Sequence, residues 1–236
     1  MRSCLIQLLV MVAVVFALLW FGVPFGAGWI ATNGLNAAGF TGTDTTVEVS
    51  SSLPPRILLG HADTVRLTST QVSVGDLHAG AVDITLSDVE LIDRTIGSVN
   101  GKLTAVRMPA LNGGVLTADT VLLDGKGTKT AATMAVSSSE VAALAKAELK
   151  PWGVTATNVK LAAPDRVTVT VAGQTRTGHL VARGGALEIN FTGMTPSTIT
   201  LIGAGDGNPF TFTSVTVQAS AVTLVGTIDL QSLLGL

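Results

Sequence analysis

Apolar and polar residues alternate along most of this chain, and the alternation changes phase at intervals. Val65 and Leu67 alternate with Arg66 and Thr68, while Val72 and Val74 follow in the opposite phase. A bulge or turn is expected between them. Val82, Ile84 and Leu86 alternate with Asp83, Thr85 and Ser87, and Val89 and Leu91 shift by one again. The same two-residue period returns in Val167, Val169 and Val171, and in Leu187, Ile189 and Phe191. It continues through Phe210/Phe212, Val215/Val217, Val222/Leu224 and Ile228/Leu230. Strands with one apolar face and one Thr/Asp/Ser face predict an antiparallel sheet, packed on one side and wet on the other. Asn100-Gly101, Asp124-Gly125 and Gly184-Gly185 read as two-residue hairpin turns, because both turn positions need φ > 0.

One segment departs from this period. From Ser137 to Lys150 the apolar residues Val141, Leu144, Ala145 and Leu149 fall at helical spacing. Ser137 is placed to cap the helix, with Glu140 completing a capping box. Lys146 and Lys150 sit near the negative end of the helix dipole, and Pro151 and Gly153 end the helix. The expected fold class is α+β, mostly β: strands, one main helix, then strands again. One helix offers less apolar face than so many strands need to cover. A second sheet or a ligand has to take the surplus.

The N-terminus has another character. Leu5 to Ala31 reads LIQLLVMVAVVFALLWFGVPFGAGWIA and carries no charge. As a helix, Leu5 to Phe25 would span about 30 Å, the thickness of a bilayer hydrocarbon core. A cleaved secretory signal has an apolar run of about 7–15 residues, shorter than this one. Residues 1–31 are therefore read as a signal-anchor, and the protein as single-pass in the plasma membrane. Arg2 stays in the cytoplasm and the remaining chain lies outside; cleavage would make it secreted. Residues 32–52, small and polar, read as a linker, and residues 53–236 as a β-rich domain. Cys4 is the one cysteine, so no internal disulfide supports that domain.

Charge and motifs narrow the chemistry. The formal net charge is −2 and there is no basic stripe, which argues against a nucleic-acid partner. His61 and Asp63, two apart on a strand, share a face, but a metal site needs further ligands at suitable spacing. His78 and His179 stand alone in sequence. Asp83, Asp88, Glu90 and Asp93 cluster, as a glycosidase carboxylate pair would; solvent-face acids explain them more simply. Gly203–Asn208 is glycine-rich, but no helical pattern follows, so it reads as a turn rather than a phosphate-binding loop. No Gly-x-Ser-x-Gly elbow occurs. No enzyme activity, metal or cofactor is expected.

The run from Leu53 to Leu91, LPPRILLGHADTVRLTSTQVSVGDLHAGAVDITLSDVEL, carries Gly60-His-Ala-Asp63-x-Val65 and Gly75-x-Leu77. With the Ser137–Lys150 helix and the closing Asn208–Gly226 unit, it resembles the LmeA-like family of phospholipid-binding envelope proteins. The resemblance spans about residues 53–230. It implies a long curved antiparallel sheet wrapped around the helix, similar to tubular lipid-binding domains, with an apolar groove for acyl chains. It also implies an extracytoplasmic protein whose partners are phospholipid and the membrane. Within such a groove Val141, Leu144 and Leu149 would face the inside of the sheet. Trp152 would stand at its mouth, where an amphipathic ring is favoured. The alternative is a structural or adhesive β-domain displayed on the tether, with these four residues in ordinary packing.

Overall fold

The computed structural model describes residues 40–229 apart from 91, 92, 94, 128, 206 and 207. The apolar segment 5–31, with its membrane-spanning reading, and residues 32–39 and 230–236 lie outside the described residues. Among the described residues no helix is long and apolar enough to cross a membrane.

Six strands follow one another as an antiparallel meander: β1 (Phe40–Ser50), β2 (His61–Val74), β3 (Leu77–Glu90), β4 (Thr95–Pro109), β5 (Val115–Lys126) and β6 (Lys129–Ser137). Helix α1 (Ser138–Leu149) then opens a second unit, the meander β7 (Ala156–Ala162), β8 (Arg166–Val171), β9 (Gln174–Arg183), β10 (Ala186–Phe191) and β11 (Thr198–Ile202). The chain returns as β12 (Phe210–Val217) and β13 (Ala221–Asp229), and β13 pairs with β6 along its length. The result is an eight-stranded sheet, β1-β2-β3-β4-β5-β6-β13-β12, and a five-stranded sheet, β11-β10-β9-β8-β7. The fold is α+β and mostly β, as the alternation indicated, but the strands form two sheets rather than one. The residues expected as linker include β1, an edge strand in which Phe40 and Val49 alone are buried.

Two expected hairpins fall elsewhere. Asn100-Gly101 lies in the middle of β4, paired with Thr85-Ile84 on one side and Asp124-Leu123 on the other. Glycine at 101 permits close strand approach: a Cβ there would stand 2.9 Å from Ile84 Cγ1 and 3.0 Å from the Asp83 carbonyl oxygen. Asp124-Gly125 is still within β5, and the chain reverses after it, where Gly127 has φ +71°. Gly184-Gly185 does turn the chain, from β9 to β10, with φ of 58° and 87°.

The phase shifts have one structural cause. Buried positions step by two within stretches of each strand, but by three at matching places in four neighbouring strands: Ser69 to Val72, Ala79 to Val82, Leu103 to Val106 and Ala118 to Val121. The residues at these steps line up across the sheet. The register puts Gln71 opposite Gly80, Gly80 opposite Ala105 and Ala105 opposite Asp119. Gln71 and Ala105 have φ near +50°, and so does Asp44 in β1, beside the Thr43–Thr70 pair. The sheet therefore carries a transverse crease, where each strand takes one additional residue and keeps the same face inward. A second line runs through Asp63, Asp88 (φ 51°) and Gly97. A left-handed residue in mid-strand raises local twist and bends the strand.

The bend lets the apolar face bury itself. A single cluster of buried side chains runs from Phe40, Leu67 and Ile84 through Met108, Leu116 and Met134. It continues into α1, the five-stranded sheet, Phe210 and Ile228. Backbone hydrogen bonds from Val217 to Pro164 and from Phe212 to Gly185 tie β12 to turns of the smaller sheet. The exposed Ala105 pays the steric penalty of the left-handed region at the crease. Ala105→Gly is expected to raise the unfolding free energy by about 0.5–1 kcal/mol, read from urea denaturation.

Candidate functional site

Two places combine exposed apolar side chains with polar groups that hold a loop in position. The first is the seam between the sheets. Ser137, the last residue of β6, caps α1 by accepting a hydrogen bond from the Glu140 amide at 3.2 Å. The helix packs against β5, β6 and β13 on one side and β7 and β11 on the other. Its apolar stripe fills the space between: Val141 and Leu149 are fully buried and Leu144 nearly so. The three helix residues expected to face inward are therefore buried together. Trp152, in the 3-10 turn that follows the helix, points outward and is 59% exposed.

A fourth helix residue also faces inward. Glu148 is 1% exposed. Its carboxylate accepts hydrogen bonds from the Asn112 amide, at 3.3 Å, and from the Asn112 side-chain Nδ2. Asn112 belongs to the β4–β5 turn, closed by a bond from the Ala110 amide to the Gly114 carbonyl. Helix and turn approach so closely that a Cβ on Gly114 would stand 2.8 Å from Leu144 Cδ1. The same turn extends Leu111 toward the five-stranded sheet, where a Cβ on Gly203 would lie 3.5 Å from Leu111 Cδ2. Leu111, Val115 and Trp152 are exposed around this end of the helix. Sequence reading missed the tie. Its signal was an acid four residues after Leu144 and seven after Val141, on the apolar stripe itself.

The second place is the tip of the β1–β2 connection, at the other end of the large sheet. Pro54–Leu59 forms a 3-10 helix ended by Gly60 at φ 84°. Ile57 points inward and completes a small core with Val49, Ala62 and Val89. Leu53, Leu58 and Leu59 point outward. A polar network holds the base. The Ser52 amide donates to Asp63 Oδ2 at 2.5 Å. The His61 ring bridges Asp63 Oδ1, 3.0 Å from Nε2, and Glu90 Oε1, 2.5 Å from Nδ1. His61 and Asp63 do share a face, as their spacing required. Glu90 joins them because β2 and β3 pair His61 with Glu90, a partner 29 residues away that spacing did not reveal.

The two carboxylates lie on opposite sides of the imidazole, so they bond the ring rather than converge on an ion. Among the described residues no three His, Cys, Asp or Glu side chains are grouped to hold a metal. The Glu90 hydrogen bond, with help from Asp63, raises the His61 pKa above its ordinary value, against partial burial and the Arg56 charge. Hydrogen bonds from Ser52 lower the Asp63 carboxyl to about 2. The other clustered acids are separated. Asp83 accepts two hydrogen bonds from Arg66, at 3.0 and 3.1 Å, and Asp88 sits on the second crease line. His179 contacts Asp165 at 3.1 Å on the surface, and His78 is exposed.

The arrangement defines a class: an antiparallel two-sheet α+β domain with a buried helix at the seam. Comparison with known protein families, with curated proteins and with solved structures yields no match.

Two predictions follow from the ties. Glu148→Ala leaves the Asn112 donors without their acceptor, and is expected to cost about 1–3 kcal/mol in urea denaturation. At the tip the sign depends on which group titrates. The raised His61 pKa contributes stability that is full below about 6.5 and is lost as pH rises through the folded value. The lowered Asp63 pKa contributes stability that is full above 3.8 and is lost as pH falls toward about 2. Amide exchange across residues 52–60, corrected for intrinsic rates, should be slowest between about pH 4 and 6.5. Asp63→Asn should speed it throughout that window; unchanged exchange would show that the network does not hold the tip.

Proposed function

We propose that this protein binds phospholipid outside the cytoplasm, tethered to the membrane by its N-terminal segment or secreted if that segment is cleaved. It would hold acyl chains between α1 and the two sheets, and deliver or retain lipid during envelope maintenance or biosynthesis. The observation that carries this reading is the position of the helix. Its apolar stripe of Val141, Leu144 and Leu149 lies between two sheets whose apolar faces it joins. Exposed Leu111, Val115 and Trp152 stand around its C-terminal end. The two sheets are separate ladders joined at β12 by the bonds from Phe212 to Gly185 and from Val217 to Pro164, so the helix side of the seam can open with those bonds kept. An acyl chain entering past Trp152 would replace side-chain contacts along the stripe, and each buried methylene contributes about 0.8 kcal/mol. The resemblance to the LmeA-like family points the same way; the net charge of −2 gives no strong attraction to anionic headgroups and leaves capture to apolar contact.

The full burial of the helix stripe favours a second reading, a structural or adhesive β-domain with no ligand. Native mass spectrometry separates the two. The full chain, purified from a membrane-containing host, is expected to carry a mass in the phospholipid range that organic extraction removes. Leu144→Ser should lower the occupied fraction several-fold. An apo mass with no uptake from added liposomes would assign the structural role instead.

A further inference from the structure

The apolar tip has no part in the seam, and its design points to a surface that the chain itself does not supply. Of the seven large apolar side chains exposed among the described residues, Leu53, Leu58 and Leu59 fall within one short segment, 54%, 64% and 72% exposed. The segment is held rather than loose. Ile57 anchors it in its own small core, Gly60 ends the 3-10 helix, and Ser52 is bonded to Asp63. Ordered exposure of leucines is unfavourable in water unless something covers them.

We infer that Leu53, Leu58 and Leu59 form a docking surface for a lipid bilayer, with Arg56 at headgroup level. Size argues against a protein partner. Three leucine side chains make a patch of a few hundred Å², well short of the ~800 Å² per side of a stable protein interface. Shallow insertion of an apolar edge into the headgroup–acyl boundary needs no larger area. Charge is arranged for the same surface. Arg56 is exposed on the helical turn that carries Leu58 and Leu59, so its guanidinium meets lipid phosphate while the leucines go deeper. Of the acids at this end, Asp63 is bonded to Ser52 and His61 and Glu90 to His61, while Asp93 is exposed in the β3–β4 turn.

The bilayer is the one that would hold residues 5–25, so the inference rests on the reading of that segment as membrane-spanning. β1 begins at Phe40, at the far end of the sheet, and its eleven residues carry the chain about 36 Å to the tip. The 14 residues from 26 to 39 reach at most about 50 Å. That exceeds the length of β1, so the tether lets the tip meet that bilayer. Tethering keeps the tip at high effective concentration near lipid, and three leucines then suffice.

Fluorescence quenching in proteoliposomes tests this with the full chain. In a Cys4→Ser background, a small fluorophore is placed on Leu58→Cys, or on Leu122→Cys as an exposed control on the outer face of β5. The vesicles are phosphatidylcholine with a fraction carrying a nitroxide on the acyl chain. At 58 the nitroxide is expected to quench at least threefold more than at 122, and Leu53→Ser with Leu59→Ser should abolish the difference. Equal quenching at the two positions in chains that float with the vesicles would overturn the docking surface while leaving the membrane-spanning reading intact. A label at 58 shielded from both nitroxide and aqueous iodide would also overturn it, and would assign the tip to a protein contact. Failure of the chain to float would overturn both.

Discussion

A sheet with one apolar face must bury that face, and this chain has little else to bury it with. Strands β2 to β4 are 14 or 15 residues long, which is nearly 50 Å of extended chain. Helix α1 has 12 residues, about 18 Å. The helix cannot cover the sheet, so the sheet bends until its own apolar side chains meet one another and those of the second sheet. The crease through Gln71, Gly80, Ala105 and Asp119 is where the backbone accommodates that requirement. Every strand it crosses makes the same step of three in the same place. Were one strand to step alone, its neighbours would present polar residues to the core.

Once the sheet is bent, the insertion of α1 and β7–β11 between β6 and β12 becomes intelligible. The inserted unit supplies the second apolar layer, and β13 closes back on β6 to complete the large sheet. The helix lies where the two layers meet, which is why its apolar residues are among the most deeply buried. This position also gives the seam its chemical character. It is a packed apolar interior, with Leu111, Val115 and Trp152 exposed near one end of the helix. Glu148 and Asn112 hold the turn that borders it.

The tip and the seam show the same economy of polar contacts in a chain with few charges. At each, one carboxylate receives backbone and side-chain donors and fixes a loop that exposes leucine: Glu148 for the β4–β5 turn, Asp63 for the β1–β2 connection. Because both carboxylates are satisfied, both loops present apolar side chains in ordered positions. A lipid-binding interior at one end and a lipid-facing edge at the other would be consistent uses of that order.

Local sequence determined the elements and their faces. Two-residue alternation marked β2, β3, β8, β10, β12 and β13, the Val141–Leu149 spacing with Ser137 marked the helix and its cap, and the phase shifts at Val72 and Val89 marked the creases. These are legible because side-chain period follows directly from backbone geometry. The same reading misplaced turns at Asn100-Gly101 and Asp124-Gly125. A glycine that relieves crowding between paired strands looks, in one strand alone, like a glycine that reverses the chain. Tertiary structure decided what depends on partners remote in sequence: the division into two sheets, the pairing of β13 with β6, and the role of residues 40–50 as an edge strand. It also decided the meeting of His61 with Glu90 and of Glu148 with Asn112. Those pairs form because strand register and helix docking place their side chains within hydrogen-bonding distance, and no local pattern records a distance across the fold.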